Sequence, residues 1–332
     1  MNLDIFNNDA FKLTALTAAI NNQPATPRRL ATLGLFAEES VATTSVWIEQ
    51  QNGSLRLVQT SERGAPSAPG SNETRTGRGF KVPHLRVPNS VKADEIQNVR
   101  AFGSETELET IQAVVNKKLA KDRRDLEATQ EYHRIGAIKG VILDADATSV
   151  IYDLYDEFDI VQVEVDMHLD DDATDVRVKT IQAKRESEDA LGDAASTGYR
   201  VFCGRAFFDA LIGHPEVKDA YKLWNGSEML RNDPRGGFMF GDVIWEEYRG
   251  KVGSTAFIGD DEAYLVPEGV ADLFVTYFAP ADYVETANTL GLPFYAKQEP
   301  MPMGRGVALE SQSNPLSICT RPGAIIKLNK IA

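Results

Sequence analysis

Residues 105–139, ETELETIQAVVNKKLAKDRRDLEATQEYHRIGAIK, contain no proline and a single glycine, Gly136. A run of this kind demands one long rod, and the rest of the chain has to be arranged around it. Apolar residues recur at Leu108, Ile111, Val115, Leu119, Leu126, Ile135 and Ile138, spacings that mostly suit one helix face. Ser104 stands three residues before Glu107 as in a capping box, and Glu105, Glu107 and Glu109 crowd the first turns, where the helix dipole favours acids. Lys117, Lys118, Lys121, Arg123 and Arg124 follow, several of them three or four positions from Asp122, Asp125 or Glu127. At ~1.5 Å per residue such a helix spans roughly 50 Å. Its middle is thin in apolar residues, with only Ala120 between Leu119 and Leu126 and no firm stripe again until Ile135. A coiled coil would hold its seam throughout. The expected form is therefore a partly exposed rod lying on something flatter, with Leu108, Ile111, Val115 and Leu119 toward a sheet and Lys117 and Lys121 outward. Two helices broken near Arg123 are the alternative.

Ahead of the rod, Phe11 to Ile20 predicts a short amphipathic helix, which Pro24 and Pro27 stop. Residues 1–45 then read as an extended arm whose apolar residues need a surface outside their own segment. The runs SVWIEQ and SLRLVQ flank Asn52-Gly53, the strongest short hairpin signal. A polar, glycine-rich stretch follows, and in KVPHLRVPN the residues Pro83 and Pro88 exclude a central sheet strand. This excursion has almost no core of its own, which points to an arm ordered against a neighbouring subunit.

Charge is unevenly spread. Between Gly53 and Lys92 there are seven basic residues and two acids, whereas between Glu164 and Asp193 there are ten acids and four basic residues. Opposite fields on one chain suit self-association. The net charge of −14 argues against wholesale nucleic-acid binding. No window approaches a membrane span, and the start, MNLDIFNNDAF, lacks the features of a signal peptide. Cys203 and Cys319 are too few for a disulfide framework and fit a reducing compartment.

After the rod, Gly140–Leu143 and Val150–Leu154 predict a β-hairpin turned at Asp144-Ala145-Asp146. Phe158–Val165 alternates as a strand, and Asp175–Leu191 predicts a second helix with Val176, Ile181 and Leu191 inward. Tyr199–Gly204 reads as a buried strand and Arg205–Ile212 as a short helix. Phe238–Tyr248, Lys251–Ile258 and Ala263–Pro267 read as strands, and a helix is possible around Tyr283. Val307–Gln312 and Ala324–Leu328 look like a return to an earlier sheet, although Val307–Gln312 and Pro315–Thr320 could also pair with each other. The sum is an α+β fold.

No motif carries chemistry. His84, His133, His168 and His214 share no metal-binding or catalytic spacing with one another or with cysteine or glutamate. Asp166, Asp170, Asp171, Asp172 and Asp175 lack the glycine and terminal glutamate of a calcium loop. The glycines of GRGF, PRGGFMFG and GRGVALE match neither a dinucleotide fingerprint nor a Walker loop. Cys203 reads as a packed strand residue. Arg75, Arg78 and Lys81 lack the interleaved aromatics of a single-strand groove. No catalytic, cofactor-binding or metal site is expected, and the chain is not expected to be an enzyme.

An N-terminal arm, an extended basic hairpin, one long helix, a sheet entered after it, a compact mixed region and a final return strand form a distinctive order. In that order, and in SVWIEQQNGSLRLVQT at 45–60, the helical passage at 105–144 and LESQSNPLSICTRPGAIIKL at 309–328, the chain resembles the lambda-type tailed-phage major capsid proteins, the major capsid protein E family, whose shells have the Hong Kong 97-type fold. The resemblance implies an N-arm over 1–45, an extended loop over 46–92 and a peripheral domain over 93–198 holding the spine helix 105–139. It implies an axial domain over 199–306 and return strands to the peripheral domain over 307–332. Arg56, Arg63, Arg75, Arg78, Lys81 and Arg86 would then be inter-subunit contact candidates. Copies would join as hexamers and pentamers into an icosahedral head enclosing double-stranded DNA, without sequence-specific binding. Assembly would take place in the bacterial host cytoplasm, with scaffold or protease, portal and decoration proteins as partners. Lys81 and Lys92 are the lysines of the loop that some relatives crosslink, and no crosslink is expected in this branch. No scaffold domain is expected ahead of the arm, so scaffolding would come from another gene product. An encapsulin-like non-viral shell is the alternative of the same fold. An oligomeric enzyme with a long lid loop is the alternative of another class, and it requires a convergent polar cluster.

Overall fold

A computed structural model describes residues 9–24, 28–51, 75–92, 95, 107–224 and 233–331. In chain order, helices α1 (Leu13–Asn21) and α2 (Arg29–Leu33) precede strands β1 (Ala37–Ser40), β2 (Ser45–Gln51), β3 (Arg75–Lys81) and β4 (Leu85–Lys92). The long helix α3 (Glu107–Lys139) follows, then β5 (Val141–Leu143), β6 (Val150–Asp153), α4 (Leu154–Phe158) and β7 (Glu164–Asp166). Next come α5 (Val176–Leu191), β8 (Gly198–Cys203), α6 (Arg205–Gly213) and α7 (Pro215–Trp224). Strands β9 (Phe238–Phe240), β10 (Val243–Glu247), β11 (Lys251–Val252), β12 (Thr255–Ala256) and β13 (Glu262–Glu268) lead to β14 (Phe274–Phe278). The chain ends through β15 (Tyr295–Pro300), β16 (Gly306–Ser313), β17 (Pro315–Cys319) and β18 (Ile326–Asn329).

The rod is a single helix of 33 residues, with no break at Arg123. The Arg123 side chain explains why that position does not end it. Its Nε pairs with Glu127 one turn on at 2.7 Å, and its Nη1 donates to the carbonyls of Ile20, Asn21 and Gln23 at 3.0, 2.6 and 2.8 Å. One guanidinium thus satisfies carbonyls at the C-terminal end of α1, which have no intrahelical partner. The capping box at Ser104, the run SLRLVQ and the Asn52-Gly53 turn lie outside the described residues. Among those described, β2 pairs with β3.

The chain divides into two compact units, each assembled from discontinuous segments. The first comprises residues 1–46, 80–134 and 275–317. Its sheet β15-β16-β4 is antiparallel, and all of β16 from Gly306 to Ser313 is in register with β4 from Lys92 back to Leu85. Pro88 sits on β4 at the sheet edge, where its missing N–H interrupts no ladder. Phe11, Leu16 and Ile20 meet Val115, Leu119 and Leu126 of α3 and Val91, Phe294, Ala296, Val307 and Leu309 in one buried cluster. A further sheet, β1-β14-β17, pairs β1 parallel to β14.

The second unit comprises residues 47–79, 135–274 and 318–332. It holds the six-stranded sheet β7-β18-β13-β8-β10-β9. Its core includes Val201, Phe207, Phe208, Leu211, Trp245 and Leu265, with the Phe207 and Trp245 rings stacked at 6.4 Å. Gly204 leads β8 into α6 so close to the 259–260 backbone that an added Cβ would meet the Gly259 carbonyl at 1.8 Å. Of the return expected over 307–332, residues 307–317 lie in the first unit and 318–332 in the second. Residues 275–306 belong with the arm and 318–332 with the six-stranded sheet, because strand pairing ignores chain order.

Several local expectations are corrected. Phe158–Val165 is not a strand. The Asp153 carboxylate caps α4 by accepting from Tyr155 and Asp156 N–H, Asp159 ends that helix at φ 54, and only Glu164–Asp166 joins a sheet. Phe238–Tyr248 is a hairpin turned at Gly241 and Asp242, which adopt φ of 61 and 60 as a two-residue loop requires. Lys251–Ile258 is likewise reduced to the short hairpin β11–β12. Around Tyr283 there is only the 3-10 turn Val284–Thr286. Strands β16 and β17 lie in different sheets, because Asn314 between them turns the chain: its Nδ2 donates to the Pro280 carbonyl at 2.6 Å and its own carbonyl accepts from Ala279 N–H. The hairpin β5–β6 and helix α5 form where the sequence places them, the latter capped by Asp175.

Leu119 is fully buried at the centre of the first unit's core. Leu119→Ala is expected to lower the unfolding free energy by about 2–5 kcal/mol, measured by urea denaturation. A change within experimental error would show that α3 does not carry that core.

Candidate functional site

Two features of the described chain make contacts that the fold alone does not require. They are the polar residues along α3 and the β2–β3 ribbon.

Along α3, Val115, Leu119 and Leu126 are buried while Lys117 and Lys121 are exposed. The side chains of Leu108 and Ile111 lie outside the described residues. The thin middle is only partly exposed: Lys121, Arg124 and Asp125 face solvent, whereas Asp122 and, further on, Gln130, Glu131, His133 and Arg134 are buried. Positions 115, 119, 122, 126, 130 and 133 continue a single stripe at three- and four-residue spacing, part of it polar. That spacing was visible in the sequence, but a search for apolar residues alone passes over it.

Asp122, Gln130, Glu131 and Arg134 each have a specific acceptor or donor in their own unit. Asp122 accepts from Ser311 Oγ at 2.9 Å and from Asn89 Nδ2 at 3.1 Å, joining β16 to β4 across the helix. Gln130 Nε2 donates to Ser313 Oγ at 2.9 Å, and that hydroxyl donates to the Pro293 carbonyl at 2.6 Å. Glu131 accepts from the backbone N–H of Leu30 at 2.9 Å, holding the start of α2. Arg134 pairs with Glu38 of β1 at 2.7 Å, donates to Thr276 Oγ1 at 3.2 Å and lies over the Phe36 ring at 5.4 Å. Thr276 in turn meets Ser317 of β17 at 3.0 Å. The helix is thereby bonded directly to two strands of each sheet, and through Thr276 it reaches β17, the third strand of one of them. In the second unit, Lys139 bonds Glu262 at 2.7 Å. Burial would raise the Glu262 carboxyl, but the Lys139 bond and charge, with Gly259 N–H and Tyr264, hold it below its ordinary value.

Among the described basic candidates, Arg78 and Arg86 have separate partners. Arg78 lies over the Phe158 ring at 5.5 Å. Arg86 is ion-paired with Glu310, which also accepts from Gln312 Nε2 and Tyr283 Oη. Lys81 is exposed, Arg75 is placed only by its backbone in β3, and Arg56 and Arg63 lie outside the described residues. Between β2 and β3, Trp47 is 71% exposed and lies across Gly77 and Gly79.

The groups with possible chemistry are dispersed. A groove of about 530 Å³ between α5, α7 and β9–β10 is lined by Ile181, Val217, Ala220, Phe238 and Phe240. Of its polar residues, Glu216 accepts from Val176 N–H and Lys184 pairs with Asp242. His84 Nδ1 lies 2.8 Å from Asn314 Oδ1, and His214 Nε2 lies 3.2 Å from the Asp171 carbonyl. In the acidic turn, Asp171 and Asp175 accept from Ala173 and Val178 N–H. Among the described residues no group of three histidine, cysteine, aspartate or glutamate side chains could hold a metal ion. Burial raises the Cys203 thiol and pushes Cys319 up to about 12, which leaves both protonated and unreactive.

Comparisons with known proteins agree with one another. The family model described as phage major capsid protein E matches residues 12–330. The chain is 31% identical to the major capsid protein of Pseudomonas phage KPP10, over 89% of this chain and 90% of that one. It is 27% identical to the major capsid protein of Salmonella phage Felix O1, over 95% of each. Among solved structures, a prophage protein of E. coli CFT073 matches with a TM-score of 0.58 at 14% identity, covering 97% of this chain and 99% of that one. The mature capsid of bacteriophage PhiM1 matches with a TM-score of 0.51 at 12% identity, covering 93% and 89%. These last two are likenesses of fold.

Burial raises the Asp122 carboxyl above its ordinary value, and the Ser311 and Asn89 bonds only partly offset this. A raised acid contributes stability below the unfolded carboxylate value of about 4 and loses it as pH rises through the folded value. Asp122→Asn keeps an acceptor for Ser311 and removes that loss. Its stability relative to wild type is expected to improve between pH 4 and pH 7 in denaturant titrations, and a pH-independent difference would contradict the assignment.

Proposed function

This chain belongs to the phage major capsid protein E family, and from that premise we propose that its copies assemble through hexamers and pentamers into an icosahedral head shell around double-stranded DNA. It is a major capsid protein of a phage head. The match of the family over residues 12–330 carries the reading, because it spans arm, rod and both compact units rather than one shared motif.

In this reading the unit of α3 with β4, β15 and β16 is the peripheral domain, and residues 1–45 are its N-arm. The six-stranded sheet with α5, α6 and α7 is the axial domain, which gathers around five-fold and quasi-six-fold centres. Residues 46–92 are the extended loop that lies over an adjacent copy. Closed shells use several contacts per subunit, and arms that leave a compact body bury area without a large core of their own. Scaffold or protease, portal and decoration proteins are the separate partners of such a shell. A chain of net charge −14 would line the interior without gripping packaged DNA tightly.

Residues 75–92 hold five basic residues and no acid, in a chain with 49 acids. The loop would therefore be drawn to the surface of a neighbouring copy. Electron microscopy of the expressed full chain is expected to show shells, tubes or capsomers, and a small discrete oligomer alone would overturn the reading. Assembly of purified protein, followed by light scattering, is expected to weaken as salt rises toward 1 M, where screening acts within about 3 Å. Indifference to ionic strength would remove the charge argument while leaving the shell in place.

A further inference from the structure

The β2–β3 ribbon has two unlike faces. Val46, Ile48 and Phe80 are buried, and Arg78 sits over the Phe158 ring at 5.5 Å. Trp47, between Val46 and Ile48, points to the opposite side. There its indole lies flat on glycine backbone: a Cβ on Gly79 would stand 3.4, 3.5 and 3.6 Å from three atoms of the ring, and one on Gly77 would stand 3.6 Å from it. Glycine weakens a strand interior and is placed where something must approach the backbone closely. Here what approaches is a tryptophan that remains 71% exposed. One face of the ring is seated and the other is open, so the fold holds the indole in position without covering it. A rigid, pre-positioned aromatic that loses little entropy on contact is the usual anchor of a protein interface.

Resting on the capsid reading, we propose that Trp47 on its Gly77–Gly79 bed is the anchor by which this ribbon docks on a second copy of the chain. The open indole face meets an apolar patch bordered by acids. The occupant follows from charge: β2 and β3 together carry Arg75, Arg78 and Lys81 against the single acid Glu49, and the strongest available complement is another copy of a chain with net charge −14. A nucleic-acid strand fits less well. Such grooves stack bases on successive aromatics, whereas Trp47 stands alone here, and Arg78 and Arg86 are already engaged with Phe158 and Glu310.

Hydroxyl-radical footprinting of the wild-type chain, read by mass spectrometry, tests this without any substitution. Oxidation of Trp47 is expected to be strong in unassembled subunits and to fall several-fold in assembled particles. Trp47→Ala is expected to raise the concentration needed for assembly by about tenfold or more, with unchanged circular dichroism and melting of the subunit, and Trp47→Phe is expected to recover part of the loss. Equal oxidation in both states, or assembly of Trp47→Ala at the wild-type concentration, overturns the proposal while the shell reading stands. Protection of Trp47 by a short oligonucleotide but not by assembly would also overturn it, in favour of nucleic-acid stacking. Failure of the wild-type chain to form any capsomer or shell would remove both readings.

Discussion

The first unit depends on hydrogen bonding along the buried polar stretch of α3. From Leu126 to Ile138 the helix is buried or half-buried at every position, so it cannot be a rod with a dry face and a wet face. Burying an unpaired carboxylate or guanidinium costs far more than a helix can supply. Asp122, Gln130, Glu131 and Arg134 are tolerable only because Ser311, Ser313, the Leu30 amide, Glu38 and Thr276 stand where they do. Each partner comes from a different part of the chain. The helix therefore selects a single arrangement of arm and sheets, where an all-apolar seam would accept several. Removing one partner would leave a buried charge, which makes such a network demanding as well as specific.

The same requirement accounts for how little of the N-terminal arm stands alone. Helix α1 has nine residues, too few to be stable in isolation. It is held by Phe11, Leu16 and Ile20 in the core and by Arg123, which takes up its terminal carbonyls. Helix α2 begins at an amide bound by Glu131, and β1 is paired on one side to β14 and tied by Glu38 to Arg134. The arm is ordered by what it touches, as expected for a segment with few internal contacts.

Local signals were legible where a short-range device decides the structure. The absence of proline marked the rod, α5 formed over the span the sequence placed it in, and Pro88 kept β4 at an edge. Local reading failed where a competing short-range device outweighed an alternating pattern. Asp153 turned the start of an apparent strand into α4, and the Gly241-Asp242 turn folded one long strand into two. It failed again where a partner lay far along the chain. Nothing in the sequence around Asn314 announces that β16 and β17 part company there, since the bonds responsible run to Ala279 and Pro280. The candidate surface was legible as composition but not as geometry. The basic residues were countable, yet Arg78 and Arg86 hold partners in their own chain. Nothing in the sequence around Trp47 sets it apart from an ordinary strand residue, because its glycine bed lies on the partner strand.

The pairing of β4 with β16 has a consequence for the order in which the protein is made. Leu85 lies opposite Ser313 and Lys92 opposite Gly306, so the edge strand waits for residues synthesised more than two hundred positions later. Helix α3 emerges in between with Asp122 and Gln130 still lacking Ser311 and Ser313. The second unit contains a long continuous stretch, 135–274, and its sheet needs only β18 to follow. The first unit cannot close until the ribosome has nearly finished. Long-range pairing of this kind slows folding. It also means that the growing chain lacks a finished first unit until translation is almost over, which delays contact between copies on neighbouring ribosomes.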